Sequence, residues 1–188
     1  MQKRSYYIVN GITLYRMVAA PLLFLMIFSH QEEIFKWLLV VSFLTDAIDG
    51  FIARRYKAVS ILGSKLDSIA DDLTIAAAIT AAIIFKLPFL KQEIVWVILL
   101  IALYLIQTIL ALIRYKRISS FHTWLAKIAA VLQGFFLCLL FLLKDPVYPL
   151  FYLAASVTML DLLEEIILVI LLPQWQTDIK GLYWVVRK

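Results

Sequence analysis

The sequence predicts an all-α, polytopic membrane protein with six transmembrane helices and both termini in the cytoplasm. Three observations carry that expectation. Of 188 residues, 64% are hydrophobic and only 16% are charged, whereas a soluble domain carries about a quarter charged residues. The apolar residues come in long runs with a mean hydropathy of +0.93 over the chain, and each run suffices to carry a helix across a hydrocarbon core. The basic residues gather at alternate breaks between the runs, as they do where a chain weaves through a membrane.

The first span, about 8–29, carries no small-residue cleavage site and so reads as a span rather than a signal peptide. The others run over about 33–56, 61–86, 93–115, 121–143 and 147–172. Polar breaks separate them: Ser29-His30-Gln31-Glu32-Glu33, Lys57 to Ser60, Lys86 to Glu93 around Pro88, Arg114 to Ser120, and Lys144-Asp145-Pro146. Connections this short make neighbouring helices antiparallel. They leave no room for a linker, and no internal repeat is visible, so residues 1–188 form one membrane domain. The tail 173–188 sets Trp175, Tyr183 and Trp184 beside basic residues and reads as an interfacial segment lying on the membrane.

Orientation follows from the cations. One side carries Lys3, Arg4, Arg54, Arg55, Lys57, Lys65, Arg114, Lys116, Arg117, Lys180, Arg187 and Lys188; the other carries Lys36, Lys86, Lys91 and Lys144. The richer side is the cytoplasmic one, and the chain is expected to be a multi-pass protein of the cell inner (plasma) membrane. The net charge of +5 therefore points to orientation and anionic head groups and not to nucleic acid. Trp37, Trp96, Trp124, Trp175 and Trp184 fall near the interfaces and read as a belt. Cys138 is the single cysteine, so no intrachain disulfide is possible.

Within this apolar chain, residues 46–71 hold four aspartates. Asp46 and Asp49 are three apart and end one span; Asp67 and Asp71 are four apart and begin the next. Each pair shares a helix face. Carboxylates at membrane depth are costly without partners. The complete pattern is Asp46-x2-Asp49-Gly50-x2-Ala53-Arg54-x8-Gly63-x3-Asp67-x3-Asp71. It resembles the signature of the CDP-alcohol phosphotransferase family with every fixed position filled, and the six spans and the length also look like that family.

The short connection folds the second helix against the first, so the four carboxylates converge. Two divalent cations, Mg²⁺ or Mn²⁺, would relieve their repulsion, because hard oxygen ligands suit those ions and both bind substrate phosphates. Two metals about 4 Å apart can clamp the attacking and leaving oxygens of a phosphoryl displacement. Gly50 and Gly63 permit close approach of a ligand, or of a packing helix, and Ala53 keeps the face of Gly50 small.

The resemblance implies an enzyme that transfers a phosphatidyl group from CDP-diacylglycerol to an alcohol and releases CMP. It implies that Asp71 is the general base and that Arg54 binds the diphosphate, a task suited to a guanidinium fork. It implies that Ser60, and Asn10 with Thr13 in the first span, contact the CDP-lipid. Thr13 could instead bond its own helix backbone, and Arg16 could simply snorkel. A homodimer is a further expectation by resemblance. Asp72 points about 100° from Asp71, and similar glycerophosphate-type members carry a basic residue at that position.

The acceptor is less determined. Arg114, Arg117 and Lys127 are candidate ligands for a phosphorylated alcohol, with glycerol 3-phosphate foremost; inositol phosphate, phosphatidylglycerol and serine stay open. Lys127 could equally pair with Asp161, Glu164 or Glu165 in the sixth span, where Asp161 and Glu165 share a face. Those acids suit a structural polar network better than an acceptor site, and His122 reads as interfacial. A cation or proton transporter using intramembrane acids is the alternative of another class. It calls for an inverted repeat and broken helices, and neither is visible.

Overall fold

The computed structural model describes residues 15, 17–56, 61–117, 121, 123–176 and 179–187, without the side chains of residues 47, 49–56 and 61–68. Every regular element among the described residues is a helix: α1 Met17–Phe28, α2 Glu32–Tyr56, α3 Ile61–Phe85, α4 Leu87–Gln92, α5 Ile94–Tyr115, α6 Trp124–Leu142, α7 Tyr148–Leu171 and α8 Leu182–Val186. Of these, α5 and α6 are long and apolar enough to cross a membrane by length and composition. Contacts divide the chain into two compact units, Met1–Pro88 and Phe89–Lys188.

The helix limits follow local chemistry. α1 ends in a Schellman turn: the Gln31 N–H bonds the Met26 carbonyl at 2.9 Å and the His30 N–H bonds that of Ile27 at 3.1 Å. His30 takes the left-handed conformation (φ 55°) that usually falls to glycine. α5 stops in the same way at Lys116 (φ 54°), whose N–H bonds the Leu112 carbonyl. Thr123 caps α6 by accepting from the Ala126 N–H at 3.0 Å. α4 is a difference from the expected break at Pro88. Proline in a first turn removes no helical hydrogen bond, so the helix forms through it.

In the first unit, α2 and α3 are antiparallel. Lys86, just past the end of α3, pairs with Glu32 at the start of α2 at 2.8 Å, and the Phe35 and Phe85 rings lie 6.2 Å apart. Phe35, Leu39 and Ser42 form the buried stripe of α2; Ala70, Thr74, Ala77, Ala78, Ala81 and Ala82 form that of α3. Small residues allow close backbone approach between helices. The described hydroxyls within these helices bond carbonyls of the same helix, as in Ser42 to Leu38 O and Thr74 to Ala70 O.

In the second unit, α7 packs against both α5 and α6. At one end, Phe89, Phe136 and Phe151 meet in pairs with centroids 5.1–5.8 Å apart, and the Tyr152 hydroxyl donates to the buried Glu93 carboxylate at 3.0 Å. At the other end, Ala111, Phe121, Leu168, Val169, Leu172 and Ile179 form a core. The tail is thus folded into this core through Ile179. Much of the remaining apolar surface faces outward: Val95, Ile113 and Val131 are 73%, 75% and 72% exposed.

Ala81 has no exposed surface, so Ala81→Leu should overpack the first unit and cost about 1–3 kcal/mol. Thermal unfolding in detergent should show a lowered midpoint, whereas Ile83→Leu, at a half-exposed position, should leave it in place.

Candidate active site

The register of α2 and α3 decides where their acids sit. Fourteen residues separate Phe35 from Asp49, and fourteen separate Phe85 from Asp71. At 1.5 Å per residue both acids lie about 21 Å along their helices from the paired phenylalanines. Asp46 lies about one turn nearer that end and Asp67 about one turn farther, so the four positions occupy about 10 Å of helix length. The buried stripe of each helix, continued by sequence register, runs toward these positions, with Asp71 one position beyond Ala70. Phe35, Leu39, Ser42, Asp46 and Asp49 recur at alternating spacings of four and three, and the line Ala81, Ala77, Thr74, Ala70 continues to Asp67 and Gly63 with the same spacings.

Asp46 and Asp71 are half-buried, and Asp72 is exposed on the other side of α3. The side chains of Asp49, Gly50, Ala53, Arg54, Gly63 and Asp67 lie outside the described residues, although all six positions are helical. Asn10, Thr13, Arg16 and Ser60 also lie outside the described residues. The backbone therefore places the four aspartate positions within about 10 Å of helix length on two antiparallel helices, with Asp49 and Asp71 at one level. Among the described residues no group of three or more His, Cys, Asp or Glu side chains is placed to hold a metal ion.

The three cations proposed for the acceptor all sit at the end of the second unit where α5 and α7 stop and α6 begins, and all are exposed. Arg114 donates through Nε to the Leu172 carbonyl at 3.1 Å. The Arg117 guanidinium lies 5.3 Å from the Trp175 ring centre. Lys127 lies over Trp124 at 5.2 Å, a cation–π contact, and not against the acids of α7. Those acids have other partners. Asp161 accepts from the Thr123 hydroxyl at 3.3 Å, Glu165 from the Gln107 amide at 2.7 Å, and Glu164 from the Leu182 N–H at 2.7 Å. The acids of α7 are thus held in a structural polar network, and the alternative pairing with Lys127 does not form.

Thr123 and Gln107 were not singled out from the sequence as partners of these acids. Thr123 has a legible signal, a hydroxyl residue directly before an apolar run, and Gln107 is a polar residue in the middle of one. Leu182 has none, because it acts through its backbone.

The chain matches the CDP-alcohol phosphatidyltransferase family over residues 6–172. A CDP-diacylglycerol–inositol 3-phosphatidyltransferase of Saccharomyces cerevisiae is 42% identical over 66 residues, 35% of this chain and 30% of that protein. A CDP-diacylglycerol–glycerol-3-phosphate 3-phosphatidyltransferase of Rickettsia bellii is 29% identical over 166 residues, 85% of this chain and 83% of that protein. An inositol 3-phosphatidyltransferase of Arabidopsis thaliana is 36% identical over 70 residues, 37% of this chain and 30% of that protein. No solved structure matches.

Asp72→Asn tests which face of α3 works. Because Asp72 is exposed and away from the shared face, this variant should keep phosphatidyl transfer within about a factor of two to three, measured as CMP release. With its motif filled at every fixed position and nearly its whole length matched, this chain belongs to the CDP-alcohol phosphatidyltransferase family.

Proposed function

We propose that the chain transfers the phosphatidyl group of CDP-diacylglycerol to the hydroxyl of glycerol 3-phosphate, releasing CMP at the cytoplasmic face of the inner membrane. The observation that carries this reading is the common level of Asp49 and Asp71 on antiparallel helices, in a chain of this family. The choice of acceptor follows the relative from Rickettsia bellii, which aligns over most of both chains. The outward apolar surface of α5 and α6 is what a bilayer would cover. Six spans, cytoplasmic termini and a homodimer complete the proposal.

Asp46, Asp49, Asp67 and Asp71 are the residues that would hold two Mg²⁺ or Mn²⁺ ions. Bound there, such ions supply neutralisation of the diphosphate and polarisation of the phosphorus. The chain's own groups do the rest. Asn10, Thr13 and Ser60 hold the CDP-lipid head, and Gly50, Ala53 and Gly63 keep the approach open. Asp71 takes the proton from the acceptor hydroxyl. The acceptor oxygen forms its bond to the phosphorus bearing diacylglycerol, and the bond from that phosphorus to the oxygen of CMP breaks. CMP departs with the electron pair, its charge met by Arg54. Arg114, Arg117 and Lys127 hold the phosphate of the acceptor.

Purified protein in detergent, given CDP-diacylglycerol with Mg²⁺ or Mn²⁺, should release CMP fastest with glycerol 3-phosphate and stop on chelation. Faster release with inositol, the alcohol in the names of the yeast and Arabidopsis relatives, or with inositol phosphate, would replace the acceptor. No metal-dependent CMP with any alcohol would remove the reading. Asp71→Asn should lower turnover by roughly 10²- to 10⁴-fold and retain CDP-diacylglycerol binding. Wild-type turnover in that variant would contradict its role as base.

A further inference from the structure

We infer that the C-terminal tail is a strap, anchored by Glu164, that positions the cations of the acceptor site. The inference rests on the assignment of Arg114, Arg117 and Lys127 to acceptor binding, and its test separates the two.

The strap ties together three helix ends. Beyond α7, the Leu172 carbonyl accepts from Arg114 Nε at 3.1 Å and from the Tyr115 hydroxyl at 2.8 Å. Trp175 lies beneath the Arg117 guanidinium. Farther on, the Ile179 N–H bonds the Phe121 carbonyl at 2.8 Å, and the Trp124 N–H bonds the Lys180 carbonyl at 3.2 Å. These two bonds seize the residues that open α6, where Phe121 and Thr123 have no exposed surface. Lys127 stands one turn inside that helix over Trp124. Each of the three cations therefore has its placement set by the strap, or by the turn that the strap holds.

Glu164 is the anchor. One of its oxygens accepts from the Leu182 N–H at 2.7 Å. The other is buried without a hydrogen-bond partner among the described residues. A buried carboxylate is costly unless bonded, so strap and acid hold one another. The preceding Gly181 adopts φ 148°, and a Cβ there would stand 3.0 Å from Glu164 Oε1 and 3.3 Å from the Trp184 ring. Glycine is the residue that permits this approach. Glu164 is thus a positioning residue that acts on the acceptor through the strap.

The experiment combines steady-state kinetics with limited trypsin digestion of the full chain in detergent. Lys180 is exposed while its carbonyl is bonded to Trp124, so cleavage after Lys180 reports release of the strap. Glu164→Ala should speed that cleavage and raise the KM for glycerol 3-phosphate about tenfold. Its kcat and its KM for CDP-diacylglycerol should stay within about twofold of the wild type. Glu164→Gln retains an oxygen for the Leu182 N–H and should recover most of the acceptor affinity. Gly181→Ala strains the same contact from the tail, leaves α7 unaltered and should give the same split, which serves should Glu164→Ala fail to fold. Unchanged cleavage in both variants would overturn the anchor. Faster cleavage with an unchanged acceptor KM would overturn the positioning. Arg117→Ala and Lys127→Ala test the underlying assignment: an unchanged acceptor KM in both would remove the acceptor assignment itself, whatever the strap does.

Discussion

The antiparallel register of α2 and α3 is the constraint on which the site depends. Four aspartates in two largely apolar helices are a liability when scattered, because a lone carboxylate in apolar surroundings is costly. Their positions fall within about 10 Å of helix length on the two helices, and the proposed two-cation site rests on that placement. The register is set far from the acids, by Glu32 against Lys86 and Phe35 against Phe85, and is carried to them by two rigid helices. Small buried residues along α3, Ala70 through Ala82, allow the close approach that such transmission needs.

The second unit handles its acids differently. Asp161, Glu164 and Glu165 are each bonded to a neutral donor, the Thr123 hydroxyl, the Leu182 N–H and the Gln107 amide. Neutral donors quiet a carboxylate without requiring a metal, and each bond joins α7 to a different segment. The aspartates of α2 and α3 recur at spacings of three and four within each helix, whereas the acids of α7 reach α5, the turn before α6 and the tail. The same residue types thus serve two purposes, and direction around the helix separates them.

Much of this was legible in the sequence. α2, α3, α5, α6 and α7 begin and end within three residues of the expected limits, because apolar runs that stop at charge leave little freedom. The shared faces of the aspartates follow from spacings of three and four. α4 was not legible, since Pro88 reads as a breaker until its place in a first turn is known. The fate of the tail was not legible either. It depends on Phe121 with Ile179 and on Glu164 with Leu182, pairings between residues far apart in the chain that no local pattern announces. Lys127 stacking on Trp124 won over a pairing with the α7 acids, whose oxygens already had nearer donors.

The central claim is that Asp46, Asp49, Asp67 and Asp71 form one two-cation site. Counting Mn²⁺ bound per purified chain by electron paramagnetic resonance, with CDP-diacylglycerol present, tests it most directly. Two ions per chain are expected in the wild type, with loss of at least one in Asp49→Asn and in Asp67→Asn and none lost in Asp72→Asn. A wild-type chain that binds no Mn²⁺, or a stoichiometry untouched by either substitution, would contradict the account.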